Sequence, residues 1–223
     1  MADLDYKIMS PYKRAHLGVN IDITHRCPLE CPACQRQGWA QKGKKVPGQD
    51  MSIEEFKKVI EFFPAITFCG QRSDPVHHPK FLEFLKIMYE KKIICGIHNA
   101  SSAKSEEWYI KAFKAHPYAR WVFGIDGMPK DSSKYRINQD GEKLFNIMLM
   151  SKQYLKKPPV WQYIIFSYNE NDIEEAKRIA EENEIYFLLV HSSRFMQLKE
   201  TEKTDVINFK PKEMENYVKT DLD

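Results

Sequence analysis

The stretch Leu17-Gly18-Val19-Asn20-Ile21-Asp22-Ile23-Thr24-His25-Arg26-Cys27-Pro28-Leu29-Glu30-Cys31-Pro32-Ala33-Cys34 falls into two halves. Leu17 to Thr24 is apolar and β-branched, the composition of a strand. The second half sets three cysteines in one short loop as Cys27-x-x-x-Cys31-x-x-Cys34. Three thiolates fill three coordination positions. A 4Fe-4S cluster is normally held by four, so such a loop leaves one iron open to an exogenous ligand and makes the site reactive rather than a plain electron relay. The chain reaches at most about 3.3–3.6 Å per residue, so one loop can wrap a single cluster, and Pro28 and Pro32 stiffen it. Zinc is the competing reading, with His25 as a fourth ligand, although structural zinc sites usually draw two ligand pairs from separate segments and no second pair exists here. Redox or structural thiols are the third.

Outward from this loop, short β-branched runs alternate with helical patterns. Ser52-Ile53-Glu54-Glu55 has the form of a capping box ahead of Phe56, Val59, Ile60 and Phe63 at helical spacing. Ala65 to Cys69 reads as the second strand, followed by a helix from about Pro79 to Lys91. Ile93 to His98 is the third, and Ser105 opens a helix carrying Trp108, Ile110 and Phe113. Arg120 to Asp126 is the fourth strand, with a helix from about Gly141 to Lys156. Val160 to Tyr168, a helix over Asp172 to Asn183, and Ile185 to Val190 complete the series. Strict alternation implies a parallel sheet with right-handed crossovers, as an open doubly wound sheet or a partial barrel. In either, reactive groups gather at the carboxyl ends of the strands, where the cysteine loop lies.

The 223 residues, 43% hydrophobic, suffice for one sizeable core. Net charge is +3, which argues neither for nor against a polyanionic partner. Lys42, Lys44 and Lys45 form one basic run and Lys152, Lys156 and Lys157 another, both read as solvated faces. Met1 to Pro11 lacks the apolar core of a signal peptide, and no window approaches a membrane span, so a cytoplasmic protein without membrane contact is expected. Five cysteines without an export signal favour free thiols or metal ligands over disulfides. Cys69 and Cys95, in apolar segments, are expected to be small core residues. Residues 193–223 break the pattern. Phe195, Met196, Phe209, Met214 and Tyr217 are dispersed among charges there, and the segment is expected either to cover the mouth of the sheet or to be loosely docked.

From the cysteines onward the chain resembles the radical S-adenosylmethionine (SAM) superfamily, whose signature is Cys-x3-Cys-x2-Cys after the first strand of a partial (β/α)6 barrel. The resemblance covers about residues 15 to 192. Phe68-Cys69-Gly70-Gln71-Arg72-Ser73-Asp74-Pro75 is similar to the family's Gly-Gly-Glu-Pro motif, which holds the methionine amino group of SAM. This copy departs from it: either Gly70-Gln71 stands for the glycine pair or Ser73-Asp74-Pro75 supplies a shorter acid. His98-Asn99-Ala100-Ser101 resembles a Thr-Asn-Gly turn. Phe123-Gly124-Ile125-Asp126-Gly127 with Tyr135-Arg136 looks like the Ser-Ile-Asp-Gly segment and downstream arginine of the branch that carries SPASM or twitch extensions, where the arginine meets the SAM carboxylate. Arginine suits that role because its fork makes paired, charge-assisted hydrogen bonds. Gly124 stands where that branch often has serine. Gln162 and Asn169 are read either as cofactor or substrate contacts or as surface polar residues.

The resemblance implies an α/β partial (β/α)6 barrel over residues 1–192 with a short C-terminal extension over 193–223. It implies a 4Fe-4S cluster on Cys27, Cys31 and Cys34 and a SAM site lined by Gly70, Gln71, Ser73, Asp74, Asn99, Asp126 and Arg136. Reductive cleavage of SAM to a 5′-deoxyadenosyl radical would then lead to hydrogen abstraction from a peptide or protein side chain, or alternatively from a nucleotide, an RNA or a small metabolite. An external electron donor such as flavodoxin or ferredoxin is implied as well. Related proteins carry auxiliary clusters in cysteine-rich extensions; no cysteine follows Cys95, so one cluster is expected. A non-enzymatic zinc or iron-sulfur module is the reading from a different class.

Overall fold

The computed structural model describes residues 18–192 and Pro211, so the expectations for the remaining tail lie outside the described residues. Six strands form one sheet: β1 (Val19–Ile21), β2 (Ala65–Phe68), β3 (Ile94–Asn99), β4 (Arg120–Gly124), β5 (Val160–Ile164) and β6 (Tyr186–Val190). All pairs are parallel and the spatial order is the order of sequence. A doubly wound sheet reverses direction at a switch point. This one does not, which settles the architecture as the open partial barrel with right-handed crossovers on one side.

The helices are α1 (Gln35–Ala40), α2 (Ile53–Phe62), α3 (Phe81–Glu90), α4 (Glu106–Ala115), α5 (Gly141–Ser151) and α6 (Ile173–Glu182), with 3₁₀ turns at Pro75–His77 and Pro129–Lys134. Among the described residues, no helix is long and apolar enough to cross a membrane. The Ser52–Glu55 capping box forms, with Glu55 N–H donating to Ser52 Oγ at 3.1 Å and Ser52 N–H to Glu55 Oε2 at 2.7 Å. Ser105 caps α4 by accepting from Trp108 N–H at 3.3 Å. The two lysine runs are exposed.

Several boundaries differ from expectation. Strand β1 ends at Ile21 and not Thr24 because the Asp22 carboxylate leaves the ladder to accept N–H groups from Gln71 and Arg72. Strand β5 ends at Ile164 and not Tyr168, where Asn169 accepts the Phe166 N–H at 2.7 Å and donates to Ile164 O at 3.0 Å. Strand β4 stops at Gly124, and α5 stops at Ser151, whose hydroxyl donates to Met148 O. Helix α1 and the 3₁₀ turns have no apolar period that sequence alone exposes.

Period-two alternation separates the two faces of the sheet. Ile66, Phe68, Cys95, Ile97, Trp121, Phe123, Trp161 and Tyr163 are buried in the main core against the helices. There Phe56 stacks on Phe84 at 4.3 Å and Trp121 meets Phe113 edge-on at 5.0 Å. The opposite parity, Asn20, Thr67, Cys69, His98, Val122, Gly124, Gln162 and Ile164, lines an internal cavity. Cys95 is thus the core residue expected, whereas Cys69 is only half-buried and belongs to the cavity wall. Phe84 is completely buried. Phe84→Ala is expected to lower unfolding stability by about 3–5 kcal/mol, read as a shift in the urea midpoint; a change under about 1 kcal/mol would mean that this layer is not the load it is taken to be.

Candidate functional site

The cysteine loop sits on a small core of its own. Leu29 and Cys31 are buried with Tyr135 and Phe166, whose rings stack at 4.0 Å, and Cys27 and Cys34 pack around them. Its backbone is pinned from three sides: Glu30 N–H donates to Ile137 O at 3.1 Å, Asn138 Nδ2 to Pro28 O at 3.2 Å, and Asp74 N–H to Arg26 O at 2.9 Å. Arg36 donates to His25 O, to Cys27 O at 3.2 Å and to Arg72 O at 3.0 Å. A single guanidinium therefore ties the loop after β1 to the loop after β2. Nothing in the sequence marks Arg36 for this beyond its place in the first turn of α1.

The loop after β2 is shaped by Gly70 and by Asp22. Gly70 has φ +60°, and a Cβ there would lie 2.8 Å from Ser73 O, so no other residue fits without strain. Asp22 accepts the N–H groups of Gln71 at 3.0 Å and Arg72 at 3.2 Å and the Ser73 hydroxyl at 2.9 Å. The only sign of this role in the sequence is an acid within an apolar strand. Asp74, the next acid, is 3% exposed; its Oδ2 accepts the N–H groups of Ala100 and Ser101, both at 2.8 Å, and its Oδ1 that of Val76 at 3.3 Å. Burial raises its pKa to about 6, against the opposing pull of those three N–H groups.

At the end of β3, Asn99 donates to the Tyr109 hydroxyl at 2.8 Å and accepts the Ser101 N–H at 3.1 Å. Asp126, fully buried, lies 2.7 Å from Arg136 Nε and accepts the Ile164 N–H at 2.9 Å. Burial disfavours the Arg136 cation, but Asp126 and Cys31 outweigh it and raise the pKa. Gly124 leaves the space that this arginine uses: a Cβ at 124 would stand 2.8 Å from Nη2 and 3.1 Å from Cζ. Packing against Arg136 is thus what calls for glycine at this position.

These groups enclose a cavity of about 340 Å³. Of the expected site residues, Cys27, Cys31, Cys34, Gly70, Gln71, Ser73, Asp74, Asn99 and Arg136 all line it. Asp126 does not; it stands behind Arg136 and orients it. Gln162 lines the cavity and bonds to His98, whose pKa burial lowers despite that bond. Asn169 is neither a surface residue nor a cavity contact, being fully buried as the stop of β5. Sequence reading missed Asp22, Arg36 and the cavity position of Cys69, whose thiol pKa is raised by burial and by Asp22.

The donor set is soft and desolvated. Burial, then Asp74, pushes the Cys27 thiol up to about 12, and a thiol in such surroundings ionises only with a cation or metal beside it. Among the described residues no three histidine, cysteine or acidic side chains converge to hold a single metal ion. The three thiols occupy one wall of a chamber. His25 is not in that wall; its Nδ1 lies 4.0 Å from Asp50 Oδ1. Three soft donors on a chamber, a forked cation that also lines it and a loop rich in N–H groups suit a multinuclear thiolate-held centre with a zwitterionic ligand.

No protein-family model matches the chain. Over 92 residues it is 26% identical to a "tungsten-containing aldehyde ferredoxin oxidoreductase cofactor-modifying protein" of Pyrococcus furiosus, a match covering 39% of this chain and 24% of that one. Among solved structures it is similar to Streptococcus suis SuiB bound to S-adenosylmethionine, with a TM-score of 0.66 and 13% identity over 90% of this chain and 46% of that one. It is also similar to SuiB bound to the precursor peptide SuiA (TM-score 0.64, 13% identity, 83% and 46% covered). Methylornithine synthase is a further match (TM-score 0.56, 14% identity, 84% and 58% covered). The chain thus spans about a quarter of the curated relative and around half of these structures. The solved neighbours are radical SAM enzymes, and the fold of this chain is the partial barrel they share.

Gly124→Ser is expected to push the Arg136 fork aside and cost about 1–3 kcal/mol in unfolding free energy. In an Arg136→Lys background, which lacks Nη2, the same serine is expected to cost much less. Equal costs in both backgrounds would show that Gly124 does not make room for Arg136.

Proposed function

We propose that the protein is a radical SAM enzyme, in which Cys27, Cys31 and Cys34 hold one 4Fe-4S cluster and the opposite side of the cavity receives SAM. The observation that supports this most is the meeting of the three thiols, the Gly70–Asp74 loop and Arg136 around one chamber at the carboxyl ends of the strands. When bound, the cluster and SAM supply reductive cleavage of the sulfonium to methionine and a 5′-deoxyadenosyl radical that takes hydrogen from the substrate.

The chain's own residues bind and orient. Arg136 Nε is committed to Asp126, and the end of its fork, lying over Gly124, is left to pair with a carboxylate. In the Gly70–Asp74 loop, Ser73 and Asp74 are engaged by Asp22 and by the β3 loop, so Gln71 and the backbone of Gly70 are the groups set to meet the methionine amino end. Gln162 and His98 form the floor nearest a substrate. An external reductant such as flavodoxin or ferredoxin would approach the cysteine loop in the cytoplasm.

A peptide or protein side chain is the substrate this reading favours, supported by the likeness to SuiB bound to its precursor peptide. A nucleotide, an RNA or a small metabolite is the second reading; the likenesses to a cofactor-modifying protein and to methylornithine synthase favour its small-molecule form.

Anaerobic reconstitution is expected to give near four irons and four sulfides per monomer and, with SAM and dithionite, 5′-deoxyadenosine. Replacing any one of Cys27, Cys31 and Cys34 by alanine should remove both. Stoichiometric zinc without sulfide would instead identify a non-enzymatic metal module. For Arg136 the informative change is lysine, because alanine would strand the buried Asp126 charge at a cost of about 3–5 kcal/mol. Arg136→Lys should weaken SAM binding about tenfold or more with iron content unchanged, and an unaltered affinity would take Arg136 out of the site.

A further inference from the structure

On the helical side of the barrel, between α3 and α4, lies a second concavity of about 490 Å³. Lys80, Lys86 and Lys104 face it together with Trp108, His78 and a single acid, Glu83. Among the described residues none of the three lysines is ion-paired. The start of the ten-residue α3 adds its partial positive charge to theirs. His77, beside the groove, is held to a pKa of about 4 by burial and by Lys104 and contributes no charge at neutral pH. The field of the groove is therefore that of three lysines opposed by one acid, Glu83.

Its position relates it to the cavity. The segment 75–80 runs from Asp74 into α3, and 100–104 runs from Asn99 to the cap of α4. His77 Nε2 and Ser101 Oγ, 2.8 Å apart, join the two segments, and Ser101 N–H donates to Asp74 Oδ2. One pair of loops thus forms the rim of the cavity on one side and the edge of the groove on the other.

We propose that this groove binds an acidic segment of a peptide or protein substrate, anchoring it while a neighbouring residue of the same chain enters the cavity. The inference rests on the peptide reading given above. Charge complementarity carries it, and the aromatic geometry weighs against the commonest alternative. A nucleotide base would need a free face of Trp108, yet Phe81 stacks near-parallel at 6.0 Å and Lys104 Nζ sits 5.2 Å from the ring centroid. The groove thus offers cations without a stacking platform, which suits carboxylates on a flexible chain. An acidic reductant has a nearer target in Arg72, which is exposed by the cysteine loop, whereas Arg26 there is already paired with Asp50 at 2.8 Å.

The test uses the full chain and a fluorescein-labelled oligoglutamate peptide, followed by anisotropy at low and at physiological salt. The wild-type protein should bind it with an affinity that falls as salt rises. The variant K80E/K86E/K104E should bind at least about tenfold more weakly, and K152E/K156E, a reversal elsewhere on the surface, should bind as wild type does. SAM binding and iron content of the triple variant should be unchanged, so failure of the groove and failure of the radical SAM reading are told apart. No peptide binding by the wild type, equal loss in the two reversal variants, or tighter lysine-dependent binding of a single-stranded RNA oligonucleotide would each overturn the proposal.

Discussion

The division of one sheet into two chemically opposite faces governs everything else in this molecule. Sequential parallel strands place all crossover helices on one side, and that side takes the aromatic and aliphatic parity of every strand. The other parity is mostly small or polar, as Asn20, Thr67, Gly96, His98 and Gln162 show, with Val122 and Ile164 the aliphatic exceptions, and it surrounds a chamber. In a closed eight-stranded barrel, interdigitated side chains fill that space. Here the main core lies outside the curve, and the inside is available for chemistry.

A second constraint acts at the carboxyl ends of the strands, where acids fasten each loop to a neighbour. Asp22 after β1 takes N–H groups from the loop after β2. Asp74 in that loop takes those of the loop after β3. Gln139 donates to Ala100 O and, at 2.9 Å, to Gly124 O, bridging β3 to β4, and Asp126 after β4 takes an N–H of β5. Asp22 does this at the exposed rim and Asp74, Gln139 and Asp126 do it in the interior, each satisfying main-chain groups that an irregular segment would otherwise leave unpaired. The rim is in effect a chain of polar clasps running in strand order, and the cysteine loop is fastened into it through Arg36 and Asp74.

Much of this was legible in residue order. Alternating β-branched and helical runs give all six strands and five of the helices, and the spacing of Cys27, Cys31 and Cys34 marks the loop that the fold brings to the cavity. What escaped follows from non-local bonding. Strand ends were overextended because Asp22 and Asn169 intercept backbone groups that an apolar run alone would hand to the ladder. Cys69 and Cys95 look alike by neighbourhood, both being flanked by isoleucine or phenylalanine. Parity separates them: Cys69 shares the face of Thr67 and Cys95 that of Ile97. For Asp126, motif resemblance records position and not orientation, and its burial behind Arg136 is a property of packing.

The separation of the two faces has a consequence for variation. Substitutions at Asn20, Thr67, His98 or Gln162 alter the size and polarity of the chamber from the face opposite Trp121, Phe123 and the aromatic layer. One wall of the chamber can thus be repainted while the aromatic layer behind it is left as it is. The same scaffold recurs in structures only 13–14% identical to this chain, as a layer that carries the fold apart from the chamber allows.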